Sequence, residues 1–282
     1  MNETRYDLIV IGSGPAGQKG AIAAAKLGKR VAIIDRQEMI GGVSLHTGTI
    51  PSKTLREAIL YLSGFRQRSF YGKDYRVKEH VAIADLGFRV RMVLEHELEV
   101  VRHQLQRNEV TTIYGAARFI DPHTLEVDAN EGPIMLKADY VLIACGTRAA
   151  LDPMIPFDGQ RIFNADQLQL ISALPRRIIV VGAGVVGLEY ASMLTALDIE
   201  VTIIEQRPTL LEFVDDEIIE ALSYHMRRQG AIFRLGEKVV SVQQNDQVTA
   251  VLESGKHVHA DCLLYAVGRQ PNTIGSTWKP SA

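Results

Sequence analysis

Short, unbroken apolar runs alternate along the chain with stretches in which apolar residues recur at helical spacing. The first run lies in YDLIVIGSGPAG, Tyr6 to Gly17, and predicts a strand buried on both faces. Ala-rich residues Gln18 to Leu27 follow with a helical pattern, and Gly28 is placed to cap that helix. Val31 to Ile34 predicts a second buried strand, closed by Asp35. The design then returns. Arg177 to Gly187, RIIVVGAGVVG, predicts a strand and turn, a helix runs through Leu197, and the strand VTII leads to Glu205. One constant offset of 170 aligns Gly12 with Gly182, Gly17 with Gly187, Ala21 with Ala191, Val31 with Val201 and Asp35 with Glu205.

Between the repeats, Lys53 to Phe65 reads as helix and Gly64 to Lys78 as polar, irregular chain. Ile83 to Asn108 predicts a long surface helix, packed through Val93, Leu94, Leu98, Val101 and Leu105, with Glu95, Glu97, Glu99, Arg102 and Arg107 solvated. Strand-like pieces follow at Thr111 to Asp121, Thr124 to Val127 and Tyr140 to Cys145, with a turn at Asp121-Pro122. They predict a small antiparallel insertion before the chain rejoins its first sheet. Leu151 to Gln160, with Pro153, Pro156 and Gly159, is the expected linker. Beyond the second repeat, Asp216 to Arg228 reads as helix, and Lys238 to Val242, Val248 to Leu252 and Cys262 to Val267 as strands. IGSTWKPSA at the end is polar and patternless.

Composition narrows the class. With 282 residues, 46% hydrophobic and 23% charged, the chain has room for two ordinary domains. A net charge of −2 gives no bulk attraction to nucleic acid or an anionic membrane. The first apolar run, Leu8 to Ile11, is too short for a secretory signal or a membrane span. Cys145 and Cys262 lie far apart and form neither a CxxC pair nor a disulfide framework, which fits a reducing cytoplasm. Neither His46 nor His225 has metal-ligand spacing, so no metal is expected. His46 reads as a lining residue at most, and Cys145 as a small packed hydrophobe.

The glycines carry the candidate chemistry. Each G-x-G-x-x-G follows a strand, opens a helix and has an acid at the end of the next strand. The first glycine makes the turn, the second lets backbone N–H groups approach a pyrophosphate, and the third lets helix and strand pack. Candidate contacts are Gly12, Ser13, Gly14, Pro15, Ala16 and Gly17 with Asp35 and Arg36 in the first copy. In the second they are Gly182, Gly184, Val185, Val186 and Gly187 with Glu205 and Arg207. The acid would accept from ribose hydroxyls. Glu205 favours the 2′-hydroxyl of NAD, whereas Arg207 is either a partner for a 2′-phosphate or a solvated surface charge. The expected fold is α/β: two Rossmann-like dinucleotide-binding domains, residues 1–150 and 151–273, with the antiparallel insertion and an irregular tail at 274–282. After the first copy, GGVSLHTGTIPSKT (Gly41 to Thr54) is placed to cover the reactive ring of a flavin.

These motifs, in this order, resemble the flavoprotein disulfide reductases: GSGPAG, GG-x-S-x₄-T-I-P-S-K, IACGTR, VVGAGVVGLEYAS and LLYAVGRQPNT. In that family two cysteines form a redox disulfide where this chain has Ser44 and Thr49. Hydroxyls cannot relay electrons through a thiolate, so dithiol reduction is not expected. The run GTIPSKTLREA with ADCLLYAVGR is similar to the soluble pyridine nucleotide transhydrogenase branch. Many members there keep a cysteine where this chain has Ser44. The resemblance implies FAD as the shuttle, with hydride passing from NADPH to NAD⁺.

It further implies that Lys53 lies near flavin N5 and pairs with Glu189, the alternative being an ordinary helix-start lysine and a surface glutamate. Gly41, Gly42, Ser44 and Thr49 would line the flavin, as would Ala117, Cys145, Gly146 and Thr147; Gly268 and Arg269 would end the nicotinamide domain. Family members normally continue with a second flavin segment and a dimerisation domain, and the full-length proteins are homo-oligomers. Neither segment follows Asn272 here, so the chain reads as a fragment or a truncated product. Two other outcomes stay open: a non-catalytic remnant that binds NAD(H), and a lipoamide-dehydrogenase-like flavoprotein.

Overall fold

Both predicted repeats fold as strand, glycine turn, helix and strand. The computed structural model describes residues 4–72, 74–168 and 171–272. The chain begins β1 (Thr4–Ile11), α1 (Pro15–Lys26), β2 (Val31–Asp35), α2 (Gly42–His46), α3 (Thr49–Leu62), α4 (Arg68–Tyr71) and α5 (Ile83–Arg107). It continues β3 (Thr111–Asp121), β4 (Thr124–Ala129), β5 (Gly132–Ile143), β6 (Thr147–Ala149) and β7 (Ile162–Asn164). The second repeat is β8 (Arg177–Val181), α6 (Val185–Ala196) and β9 (Glu200–Glu205). After it come α7 (Asp216–Arg228), β10 (Ile232–Leu235), β11 (Val239–Gln244), β12 (Val248–Leu252), β13 (His257–Ala260), β14 (Cys262–Tyr265) and β15 (Arg269–Pro271).

Two compact units result. Among the described residues, the first takes in 4–52, 91–148 and 270–272, and the second 53–90 and 149–269. In the first, β1 to β5 close into a barrel. β1 pairs in parallel with β2 on one side (Leu8 opposite Val31) and β5 on the other (Leu8 opposite Tyr140). β3 pairs in both senses within that barrel. Its start runs parallel to β2, Ala32 opposite Thr111 and Asp35 opposite Tyr114, and from Gly115 it turns antiparallel to β4. Gly115 permits the switch, since a Cβ there would stand 2.6 Å from the Asp128 carbonyl. The continuous apolar runs are explained by two-sided burial: Ile9, Val10, Ala32 and Ile33 are fully buried.

The second unit holds a five-stranded parallel sheet in the order β10-β9-β8-β14-β7 and a separate antiparallel sheet β11-β12-β13. Its largest core joins β8, β9 and the predominantly apolar helix α6 to Ala58 and Ile59 of α3 and Leu86 of α5. α6 buries Leu188, Tyr190, Ala191, Met193 and Leu194, and leaves a narrow partly exposed edge at Val185, Glu189 and Ser192.

Several sequence-based expectations need amendment. The stretch 64–78 is not wholly irregular, since it contains α4. β7, β10 and β13 are strands of three or four residues that the apolar pattern did not announce. The expected tail, 274–282, lies outside the described residues.

Within the expected linker, Asp158 organises the chain. Its Oδ1 accepts from the backbone N–H groups of Gln160, Arg161 and Ile162 at 2.9, 2.8 and 2.8 Å. Its Oδ2 accepts from Gln244 Nε2 at 2.7 Å. Burial alone would raise this carboxyl, but the four donors outweigh it and bring the pKa down to about 2. A depressed carboxylate stabilises the fold above its ordinary value of 3.8, and that contribution disappears as pH falls through about 2. Asp158→Asn should therefore lower the urea midpoint at neutral pH, and its gap to the wild type should narrow between about pH 4 and pH 2. A gap that stays constant across that window would show that Asp158 does not act through its charge.

Candidate functional site

The two glycine turns are built by the same backbone bonds. Gly12 N donates to Ile34 O and Gly182 N to Ile204 O, each at 2.8 Å. The neighbouring strand closes from the other side: Ala144 N donates to Ile11 O and Ala266 N to Val181 O, again at 2.8 Å. Both first glycines have positive φ, +101° and +96°. A Cβ on Gly17 would lie 1.9 Å from Gly12 O, and one on Gly187 would lie 2.0 Å from Gly182 O. The helix can sit on its strand only because both positions lack a side chain.

In each repeat the acid at the end of the second strand takes the N–H that follows the first glycine. Ser13 N donates to Asp35 Oδ2 at 2.7 Å, and Ala183 N to Glu205 Oε2 at 2.8 Å. This fixes the turn and leaves the N-terminal N–H groups of α1 and α6 pointing outward. Pro15 stands at N1 of α1, where its missing N–H costs nothing. The helix ends at residues 15–17 and 185–187 are thus ready-made anion sites, with Ala16, Val185 and Val186 at the tips.

Around the first turn the contacts are polar and closed. Ser13 is fully buried; its Oγ donates to Asp35 Oδ2 at 2.6 Å and accepts from Gly41 N at 3.0 Å. Arg36 N donates to Asp35 Oδ1 at 2.8 Å. Gly42, with φ +64°, rests against Gly14, and a Cβ on it would meet Gly14 Cα at 2.7 Å. Cys145 lies beside Gly12, at 3.1 Å from where a Cβ on Gly12 would stand. Asn272 holds the 145–146 segment, its N donating to Gly146 O and its Nδ2 to Cys145 O. Cys145 is half-buried rather than packed away, and Thr147 is likewise half-buried. Ser44 is half-buried on α2, Thr49 is exposed at the start of α3, and His46 Nε2 bonds Ile40 O at 2.8 Å. Ala117 stands apart, packed in the antiparallel part of β3. Near Asp35 a cavity of about 270 Å³ opens between Ile40, Arg102 and Tyr114.

In the second unit a cavity of about 640 Å³ lies over the Gly182 turn, bounded by Gly184, Glu205, Arg207, Lys238, Gly268 and Arg269. No atom lies within 4 Å of where a Gly184 Cβ would stand, so the turn is open above. Glu205, 5% exposed, is fully engaged. Oε1 accepts from Arg207 N and Nε at 3.0 Å, while Oε2 accepts from Ala183 N and from Arg207 Nη2 at 3.1 Å. Burial alone would raise this carboxyl; the Arg207 side chain and the Arg207 and Ala183 N–H groups hold it below its ordinary value. Arg207 is thus paired with the acid, which neither of its two sequence readings anticipated. Arg269 pairs with Asp166 at 2.9 and 3.4 Å, and Asp166 also accepts from Ala149 N at 3.0 Å. Lys238 and Asp166 were missed by sequence reasoning. Lys238 would have been found had β10 been read, because that strand runs beside β9 and sets 236–238 next to the acid.

Lys53 and Glu189 meet: Lys53 Nζ donates to Glu189 Oε1. Lys53 stands just past the first turn of α3, and the Glu189 carboxylate on α6 supplies its counter-charge. Cys262 is buried, and burial pushes its thiol up to about 11, so little thiolate forms at neutral pH. Among the described residues no group of His, Cys, Asp or Glu is placed to hold a metal, and no helix is long and apolar enough to cross a membrane.

Fold and turns together define an α/β chain with two dinucleotide cradles. Residues 6–279 match the model of the pyridine nucleotide-disulphide oxidoreductases, and the chain belongs to that family. It is 49% identical over 271 residues to a soluble pyridine nucleotide transhydrogenase of Mycobacterium tuberculosis, spanning 95% of this chain and 58% of that protein. A soluble pyridine nucleotide transhydrogenase of Photorhabdus laumondii is 40% identical over 275 residues, spanning 97% and 59%. Among solved structures, LpdA from Mycobacterium tuberculosis superposes with a TM-score of 0.88 at 27% identity, covering 97% of this chain and 60% of that one. The flavoprotein disulfide reductase RclA from Escherichia coli, as its Cu(II) complex, gives 0.82 at 28% identity over 97% and 58%. The chain therefore spans rather more than half the length of the proteins it matches.

The second cradle separates steric from binding roles. Gly187→Ala should destabilise the protein by about 2 kcal/mol or more through the clash with Gly182 O. Gly184→Ala has φ −72° and open space, so stability should hold within about 0.5 kcal/mol while nucleotide affinity falls. Urea denaturation and NADH titration report the two effects. Undiminished NADH binding by Gly184→Ala would show that no pyrophosphate approaches this turn.

Proposed function

We propose that the chain holds FAD on its first repeat and a nicotinamide dinucleotide on its second, and serves hydride transfer between NADPH and NAD⁺ without a redox disulfide. The observation that carries this reading is the duplicated cradle, in which the same two backbone hydrogen bonds, the same N–H captured by the acid and the same glycine clash recur. The first cradle suits the flavin dinucleotide: the α1 N-terminus supplies N–H donors, Asp35 is a carboxylate acceptor, and residues 41–42 and 145–147 flank the turn. The second suits a dinucleotide that comes and goes, since its turn is open and its acid is masked only by a solvent-exposed arginine side chain.

Bound FAD supplies a two-electron acceptor that can take hydride from one nicotinamide and return it to another. Lys53 is proposed to stabilise negative charge that develops on the reduced ring, with Glu189 keeping the ammonium oriented. Hydroxyls at Ser44 and Thr49 leave nothing to carry electrons on to a thiol or disulfide. A soluble, cytoplasmic setting agrees with the relatives described as soluble.

Purified chain supplemented with FAD should turn yellow, bleach anaerobically with NADPH and recover colour with NAD⁺. Lys53→Met should slow bleaching by roughly 10²-fold with FAD still bound, and Glu189→Gln by less. Protein that binds NADH but never retains flavin would overturn the proposal in favour of a non-catalytic nicotinamide binder.

A further inference from the structure

Three cationic side chains line the large cavity of the second unit: Arg207, Lys238 and Arg269. Two of them are spent. Arg269 is paired with Asp166, and Arg207 grips Glu205 through Nε and Nη2. Lys238 is exposed at the rim, and its ammonium has no ion-pair or hydrogen-bond partner among the described residues. The adjacent acid, Glu237, is taken by Lys256 at 2.7 Å. The backbone places Lys238 beside the masked acid: Glu237 N donates to Glu205 O at 3.1 Å and Gly236 N to Arg207 O at 3.0 Å.

An acid beneath the adenosine ribose ordinarily repels a 2′-phosphate. Here the repulsion is cancelled, because the Glu205–Arg207 pair is neutral as a unit. A carboxylate has about four acceptor positions, and those of Glu205 are filled by Ala183 N and three donors of Arg207. A 2′-hydroxyl therefore finds an acceptor only after the Arg207 side chain leaves. A 2′-phosphate needs no such opening. Arg207 can keep its grip and still present three remaining N–H groups, but the net charge must come from elsewhere.

We propose that Lys238 is the specificity residue that recognises the 2′-phosphate of NADP(H). The proposal rests on the reading that this cavity holds a nicotinamide dinucleotide. It divides the labour at the ribose. Lys238 supplies the cation for the phosphorylated cofactor, and Arg207 acts as a movable cover that yields Glu205 to the unphosphorylated one.

Calorimetry on FAD-saturated protein with two fragments, 2′,5′-ADP and 5′-ADP, tests this directly. Lys238→Met should weaken 2′,5′-ADP about tenfold and leave 5′-ADP within about twofold, with Lys238→Arg restoring the first value. Arg207→Met should shift preference toward 5′-ADP by unmasking Glu205. Equal weakening of both fragments by Lys238→Met, or no change in 2′,5′-ADP affinity, would overturn the assignment. If 5′-ADP binds the unaltered chain but 2′,5′-ADP does not, Lys238 fails while the nucleotide site stands. If neither fragment binds, the nucleotide site falls and Lys238 with it.

Discussion

Everything in this chain hangs on the capture of one backbone N–H by one carboxylate. Ser13 N on Asp35 and Ala183 N on Glu205 tie the glycine turn to the end of the following strand. The turn then has a single conformation, with the first glycine at positive φ and the third pressed onto its carbonyl. Helix and strand meet at a distance only glycine allows, and the helix N-terminus is left bare for an anion. Remove the carboxylate and the turn loses its brace and the helix its seat.

What differs between the copies follows from what surrounds that brace. In the first, a buried serine adds a second bond to the acid and draws in Gly41, so turn, acid and the 41–42 segment form one polar knot. In the second, Ala183 stands in place of the serine, and Arg207 fills the acceptor positions left over. A knot suits a permanent ligand, and a side-chain cover suits an exchangeable one. The caps diverge too. Gly28 sits past the end of α1 at φ +73°, whereas its counterpart Asp198 holds φ +62°. That strained aspartate is retained beside Arg68, which it grips at 3.1 and 3.2 Å, and Arg76 at 2.7 Å. These bonds fasten the segment after α3 to the second unit.

Much of this was legible in the residues. The two turns, their acids, α5, α7, β3, β4 and the last part of β5 were announced by glycine spacing, apolar period and turn chemistry, whereas the antiparallel part of β5, Gly132 to Lys137, was not. The short strands were not. Ile232–Leu235 mixes exposed and half-buried positions with an arginine, and His257–Ala260 alternates histidine with small apolar residues. Their pairing is decided by neighbours distant in sequence, which no local pattern carries. The same blindness hid Lys238. Its importance comes from the register of β10 beside β9 and from the partners that occupy Arg207 and Arg269. Spacing could nominate Arg207 as a ligand for phosphate or as a surface charge; only the fold shows it covering the acid.

The central claim is that the two cradles are separate and each holds its own dinucleotide. Native mass spectrometry of the chain, titrated first with FAD and then with NADPH, tests it most directly. One FAD and one nicotinamide dinucleotide on the same chain, with FAD retained as NADPH rises, is the predicted result. A chain that never carries more than one dinucleotide, or loses FAD as NADPH binds, would contradict it.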